Sequence, residues 1–105
     1  MNEKDREIAS ILKKRLLEAV PLVDFRIFGS RARGDADEYS DLDVFIEVDH
    51  LSREIKEQIQ DIAWEVGFEN YSVISPLIFS RHEIENTPLR SSPIVKNVME
   101  EGIVL

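Results

Sequence analysis

FGSRARGDADEYSDLDVFIEV, residues Phe28 to Val48, is the stretch on which the fold turns. Gly29 and Ser30 open a polar, arginine-bearing turn. Asp41 and Asp43 then stand at alternating positions where an apolar strand begins. Side chains alternate along a strand, so Leu42, Val44, Ile46 and Val48 share one face and Asp41, Asp43, Phe45 and Glu47 the other. The first set is wholly apolar and is expected to face the core. The two aspartates therefore project from the opposite face, their Cα atoms roughly 6.6 Å apart at two strand steps. Carboxylates on a rigid support suit divalent metals, and two can hold a metal pair about 3.5–4 Å apart. A glycine lets backbone N–H groups approach a phosphate that bulkier residues would obstruct. Together these are the requirements of a magnesium-dependent nucleotidyl-transfer site.

A calcium loop is the obvious competitor for an acidic turn. Laid from Asp35, the EF-hand template needs glycine at its sixth position and a bidentate glutamate at its twelfth. Ser40 and Ile46 stand there, and the template fails at both.

Gly29-Ser30, ten intervening residues, then Asp41-Leu42-Asp43 matches the GS…DxD signature of the DNA polymerase β-like nucleotidyltransferase superfamily. The chain is short and reads FGSRARG…YSDLDVFIEV, which resembles the minimal nucleotidyltransferase branch. The resemblance implies a small α/β (α+β) nucleotidyltransferase fold: a short mixed β-sheet, helices packed on one face, the other left for substrate. It implies Asp41 and Asp43 as catalytic and metal ligands for Mg²⁺, two ions in number, with ATP as substrate. Gly29 and Ser30 would cradle the β- and γ-phosphates. Arg31 and Arg33 are candidate phosphate contacts, and Ser40 a candidate that caps the turn and orients Asp41.

One departure matters. Active superfamily members generally carry a third carboxylate on the next strand, where it draws the proton from the attacking hydroxyl. Here that strand reads Tyr71-Ser72-Val73-Ile74-Ser75-Pro76-Leu77, with no Asp or Glu. Ser72 is taken as the nearest equivalent, and Glu69, just before the strand, as a substitute base. Losing a general base typically costs about 10²–10⁴-fold in rate, so a slow enzyme and a nucleotide-binding relic are both open. Glu47, four residues beyond Asp43, is too far along the strand to share its metals, and His50 and His82 read as solvated.

The chain has 105 residues, 43% of them hydrophobic, which suits one domain over 1–105. No cysteine is present, so disulfides and thiolate metal sites are excluded. No apolar stretch reaches the length of a membrane span and the amino terminus is charged, so a soluble cytoplasmic protein is expected, without a membrane partner. A formal charge of −8 argues against general nucleic-acid binding, which relies on a basic surface. It leaves a basic protein or a magnesium–nucleotide complex as natural partners.

Around the central stretch, Ile8, Ile11, Leu12, Leu16 and Ala19 recur at helical intervals and predict a helix over Glu3 to Ala19. Val23 to Phe28 reads as a strand, and Ser30 to Gly34 as one helical turn. Ser52 is expected to cap a helix that Gly67 ends. Tyr71 to Phe79 is expected as a third strand, with Pro76 placing it at an edge. Ser80 with Glu83 makes a capping box, Ser92-Pro93 starts a last helix, and Gly102 closes it before an apolar tail, Ile103-Val104-Leu105. That tail and an open sheet face are compatible with a homo- or hetero-oligomer.

Minimal nucleotidyltransferases of this size are commonly encoded beside a small helical HEPN ribonuclease. The resemblance implies transfer of AMP from ATP to a hydroxyl, with a tyrosine as the expected acceptor, of such a HEPN-type toxin, as the antitoxin of a type VII-like pair. The alternative from another class is neutralisation by binding and occlusion. An antibiotic-modifying nucleotidyltransferase is a weaker third option, since such enzymes usually carry a further domain for the acceptor.

Overall fold

The computed structural model describes residues 1–37 and 39–105. Helix α1 (Glu3–Ala19) begins where the Asn2 side chain accepts a hydrogen bond from Asp5 N at 2.7 Å. It buries Ile8, Leu12 and Leu16, spaced four apart on one stripe, with Ala9 beside them. Strand β1 (Leu22–Phe28) runs straight into α2 (Gly29–Arg33), a single short turn of helix that ends at Gly34 with φ +87°. Strand β2 (Leu42–Val48) follows, then α3 (Arg53–Glu69), whose first turn is capped by the Ser52 hydroxyl accepting from Ile55 N at 3.1 Å.

Gly67 does not end α3. The helix passes through it to Glu69, and the glycine is needed for another reason: a Cβ there would stand 2.5 Å from the Ser72 carbonyl oxygen, so its absence lets the next turn fold back onto the helix. Tyr71, at φ +55°, makes that turn, and the third strand starts later than expected, as β3 (Ile74–Ser80). The capping box of Ser80 and Glu83 opens α4 (Arg81–Asn86). A 3₁₀ turn over Pro88–Ser91 leads to α5 (Pro93–Glu101), capped by Ser92. The apolar tail is not free: Ile103–Val104 forms β4 against β1.

The strands lie in the order β3-β2-β1-β4 as a mixed sheet. β1 is antiparallel to β2 and β4, while β3 is parallel to β2. Pro76 thus sits on an edge strand, where a missing N–H costs least. On one face, Leu42, Val44, Ile46 and Val48 pack with Phe25 and Ile27 against the buried stripes of α1 and α3, the latter being Ile59, Ala63 and Val66. Each such Leu or Ile removed from water stabilises the fold by about 1.5–3 kcal/mol relative to leaving it exposed.

The other face is not left wholly open. Phe45 is fully buried there, its ring 5.8 Å from that of Phe79, and Glu47 beyond it is buried as well. Helix α5 packs against β1 and α2, burying Val95 and Val98 apart from the main core. The end of this face that carries Asp41 and Asp43 remains accessible, with Asp41 exposed and Asp43 half-buried. Among the described residues no helix is long and apolar enough to cross a membrane.

Candidate active site

The register of the sheet brings the site together. Asp43 lies opposite Phe28 on β1, so the Gly29 turn that follows Phe28 rises directly beside it. Gly29 has φ +78°, and a Cβ on it would fall within 3.0 Å of Asp43 Oδ2 and at 3.3 Å from Asp43 Cγ. Glycine is required here twice over, for its backbone conformation and for the close approach of the carboxylate. The Ser30 carbonyl accepts from Gly34 N at 2.9 Å and Asp35 N at 3.1 Å, which holds the turn closed.

On the other side of β2, the parallel pairing sets Asp43 beside Ser75 of β3. The Ser75 hydroxyl donates to Asp41 Oδ2 at 2.8 Å. Asp41 itself stands one residue before β2, its main chain anchored by Leu42 N donating to the Val73 carbonyl at 2.9 Å. Ser75, and not Ser72, therefore occupies the position on the neighbouring strand that faces the aspartate pair. Ser72 precedes the strand, where its carbonyl lies over Gly67. Glu69, on the last turn of α3, makes no bond to Asp41 or Ser75 among the described residues.

Asp43 is held above the usual carboxylate range, first by burial, then by the neighbouring negative charge of Asp41; Arg33 opposes both. A cation bound beside Asp43 would relieve the repulsion from Asp41. The donors are oxygens only, and among the described residues no group of three or more His, Cys, Asp or Glu could hold a metal. Mg²⁺ accepts such a pair, because it is often bound by one or two carboxylates with substrate phosphates and water completing its shell. Asp41 and Asp43 fit that ion, and they are the residues that would hold it.

The two arginines of the turn part company. Arg33 is half-exposed, bonded to Asp35 Oδ2 at 3.2 Å, and close enough to Asp43 to lower its pKa. Arg31 is not brought to the aspartates as a free cation. Its Nε donates to the Ser40 carbonyl at 2.8 Å, and its Nη1 donates to Asp5 Oδ1 and Oδ2 at 3.1 and 3.2 Å. Ser40 likewise turns its hydroxyl to Asp37, donating to Oδ1 and accepting from Asp37 N, each at 3.2 Å, and not to Asp41. Ser75 and Asp5 are the residues that sequence reasoning missed. Asp5 had a visible signal, a carboxylate three residues before Ile8 on the apolar stripe of α1; Ser75 had none without the parallel register.

A family model described as "Nucleotidyltransferase domain" matches residues 6–105. A relative from Methanocaldococcus jannaschii, named "Putative protein adenylyltransferase MJ0141", is 35% identical over 82 residues, 77% of either chain. The fold is similar to the crystal structure of a "putative nucleotidyltransferase" from Sulfolobus solfataricus, with TM-score 0.51 and 18% identity over 99% of this chain and 87% of that one.

Proposed function

This chain belongs to the nucleotidyltransferase domain family, and on that premise we propose that it transfers AMP from magnesium–ATP to a hydroxyl of a partner protein. The observation that carries the proposal is the Asp41–Asp43 pair, with Asp43 set against a glycine turn that has no room for a side chain. Bound Mg²⁺ supplies charge neutralisation of the triphosphate. Gly29 gives the triphosphate access to the backbone of the turn, with Ser30 beside it, and Arg33 adds a positive charge next to Asp43. Ser75 holds the Asp41 carboxylate in one orientation. The acceptor oxygen forms a bond to the α-phosphorus, the bond from that phosphorus to the β-phosphate bridge breaks, and pyrophosphate leaves with the electron pair. The hydroxyl proton passes to water, because the hydroxyl of Ser75 stands where a carboxylate base would.

That the acceptor is a protein is supported by the name of the M. jannaschii relative. A HEPN-type toxin, modified on a tyrosine and so silenced, is the partner that the minimal-nucleotidyltransferase resemblance supplies. The missing third carboxylate favours a second reading, in which the chain neutralises that partner by occlusion. The two separate in one experiment: the purified chain, Mg²⁺, ATP and the toxin, read by intact mass. Addition of one adenylyl group to the toxin, lost in Asp41→Asn/Asp43→Asn, is expected. Neutralisation of the toxin without any mass gain, and equally by the variant, would establish occlusion instead.

A further inference from the structure

We infer that the Asp5–Arg31 pair is a positioning device that sets Asp41 for metal binding, and that Arg31 is not a phosphate ligand; this rests on the nucleotidyl-transfer reading of the site. The segment from 36 to 40 carries the chain from the glycine turn to Asp41. Among its described residues the hydrogen bonds are mostly internal: Ser40 N donates to the Asp37 carbonyl, Tyr39 N donates to Asp37 Oδ1, and the Ser40 hydroxyl closes on Asp37. Among the described residues, the bond from Arg31 Nε to the Ser40 carbonyl is the one that ties this segment to the rest of the molecule. It grips the residue immediately before Asp41.

Arg31 can hold that carbonyl only if its own planar guanidinium is fixed, and Asp5 fixes it. The Asp5 carboxylate is 5% exposed and receives Nη1 on both oxygens. Asp5 is itself fixed, since its backbone N–H is the one that the Asn2 cap accepts from, on the first turn of a helix packed into the core. The brace therefore runs from the core through Asp5, Arg31 and Ser40 to the Asp41 main chain. Ser75 grips the same residue's side chain from the neighbouring strand β3. A lysine at position 31 would satisfy Asp5 but lacks the fork needed to reach Ser40 as well.

The discriminating variant is Asp5→Asn, which leaves the Arg31 charge in place and loosens it. Mn²⁺ binding is measured by paramagnetic resonance or calorimetry in the presence of a non-hydrolysable ATP analogue, alongside metal-free binding of the same analogue. A positioning role predicts Mn²⁺ binding weaker by about 10–100-fold, the range typical of losing a group that orients a metal ligand, with metal-free analogue binding unchanged. Arg31→Met/Asp5→Leu removes both charges together and is expected to fold while showing the same loss, so that a fold defect in Asp5→Asn does not decide the matter. Wild-type Mn²⁺ affinity in the double variant, or tighter analogue binding in Asp5→Asn from a released arginine, would overturn the inference alone. Failure of the wild-type chain to bind Mn²⁺ with the analogue would overturn both it and the nucleotidyl-transfer reading.

Discussion

Gly29→Ala is the sharpest perturbation of the site, because a similar positive φ recurs five residues away without the same crowding. Gly29 has φ +78° and Gly34 φ +87°. An L-residue in this region costs about 1–2 kcal/mol at either position, and each kcal/mol lowers the Tm of a domain this size by about 4–8 °C. The two sites differ in what a Cβ meets. At Gly34 nothing lies within 4 Å; at Gly29 the Cβ collides with Asp43 Oδ2, which has to retreat by about 1 Å to reach ordinary contact at 3.4 Å. A misplacement of about 1 Å in a reacting constellation can cost roughly 10²-fold. Both alanine variants are therefore expected to melt earlier by similar amounts, while only Gly29→Ala loses metal-dependent ATP affinity, by about two orders of magnitude. Thermal melts paired with calorimetric titration of ATP in Mg²⁺ check this. Equal loss of ATP affinity in both variants, or wild-type affinity in Gly29→Ala, would refute the claim that the glycine exists to admit Asp43.

Ser75→Ala is expected to weaken Mn²⁺ binding in the ATP-analogue complex by about 10–100-fold while shifting stability by no more than about 0.5 kcal/mol, as for an exposed hydroxyl; Ser75→Asp should tighten it by supplying a third carboxylate. Unchanged metal affinity in Ser75→Ala would show that its bond to Asp41 has no role. Glu47 is raised above the usual glutamate range by burial, then by the charges of Asp24 and Glu85, with Arg81 and Arg26 opposing. The folded state therefore holds its proton more tightly than the unfolded chain, so this group's contribution to stability falls as pH rises through the raised pKa. Glu47→Gln should accordingly raise the Tm at pH 7–8, with the gain disappearing below the ordinary glutamate pKa of about 4.3. A gain that persists at pH 3 would assign the effect to packing.

Much of the fold was legible because it is written in local spacing. The four-residue recurrence of Ile8, Leu12 and Leu16, the alternation from Leu42 to Val48, and the caps at Ser52, Ser80 and Ser92 each carry their own physics and appear where expected. The failures are long-range. Alternation assigned Phe45 and Glu47 to an open face, yet α5 comes from the far end of the chain to help cover that face. Gly67 reads as a helix end by its residue type, but the helix runs on to Glu69 and the glycine's missing side chain makes room for the Ser72 carbonyl. Ile103–Val104 is too short to announce itself as a strand without β1 to pair with. In the site, the glycine turn and the two aspartates were legible as one motif. Ser75 depended on which residue of β3 the parallel ladder sets beside Asp43, and Arg31 on a partner 26 residues upstream.

Titration of ATP into the purified chain with and without Mg²⁺, repeated on Asp41→Asn/Asp43→Asn, addresses the central claim most directly. Saturable binding that requires the metal and disappears in the variant is expected. No binding at millimolar ATP, or binding that the variant retains in full, would contradict it.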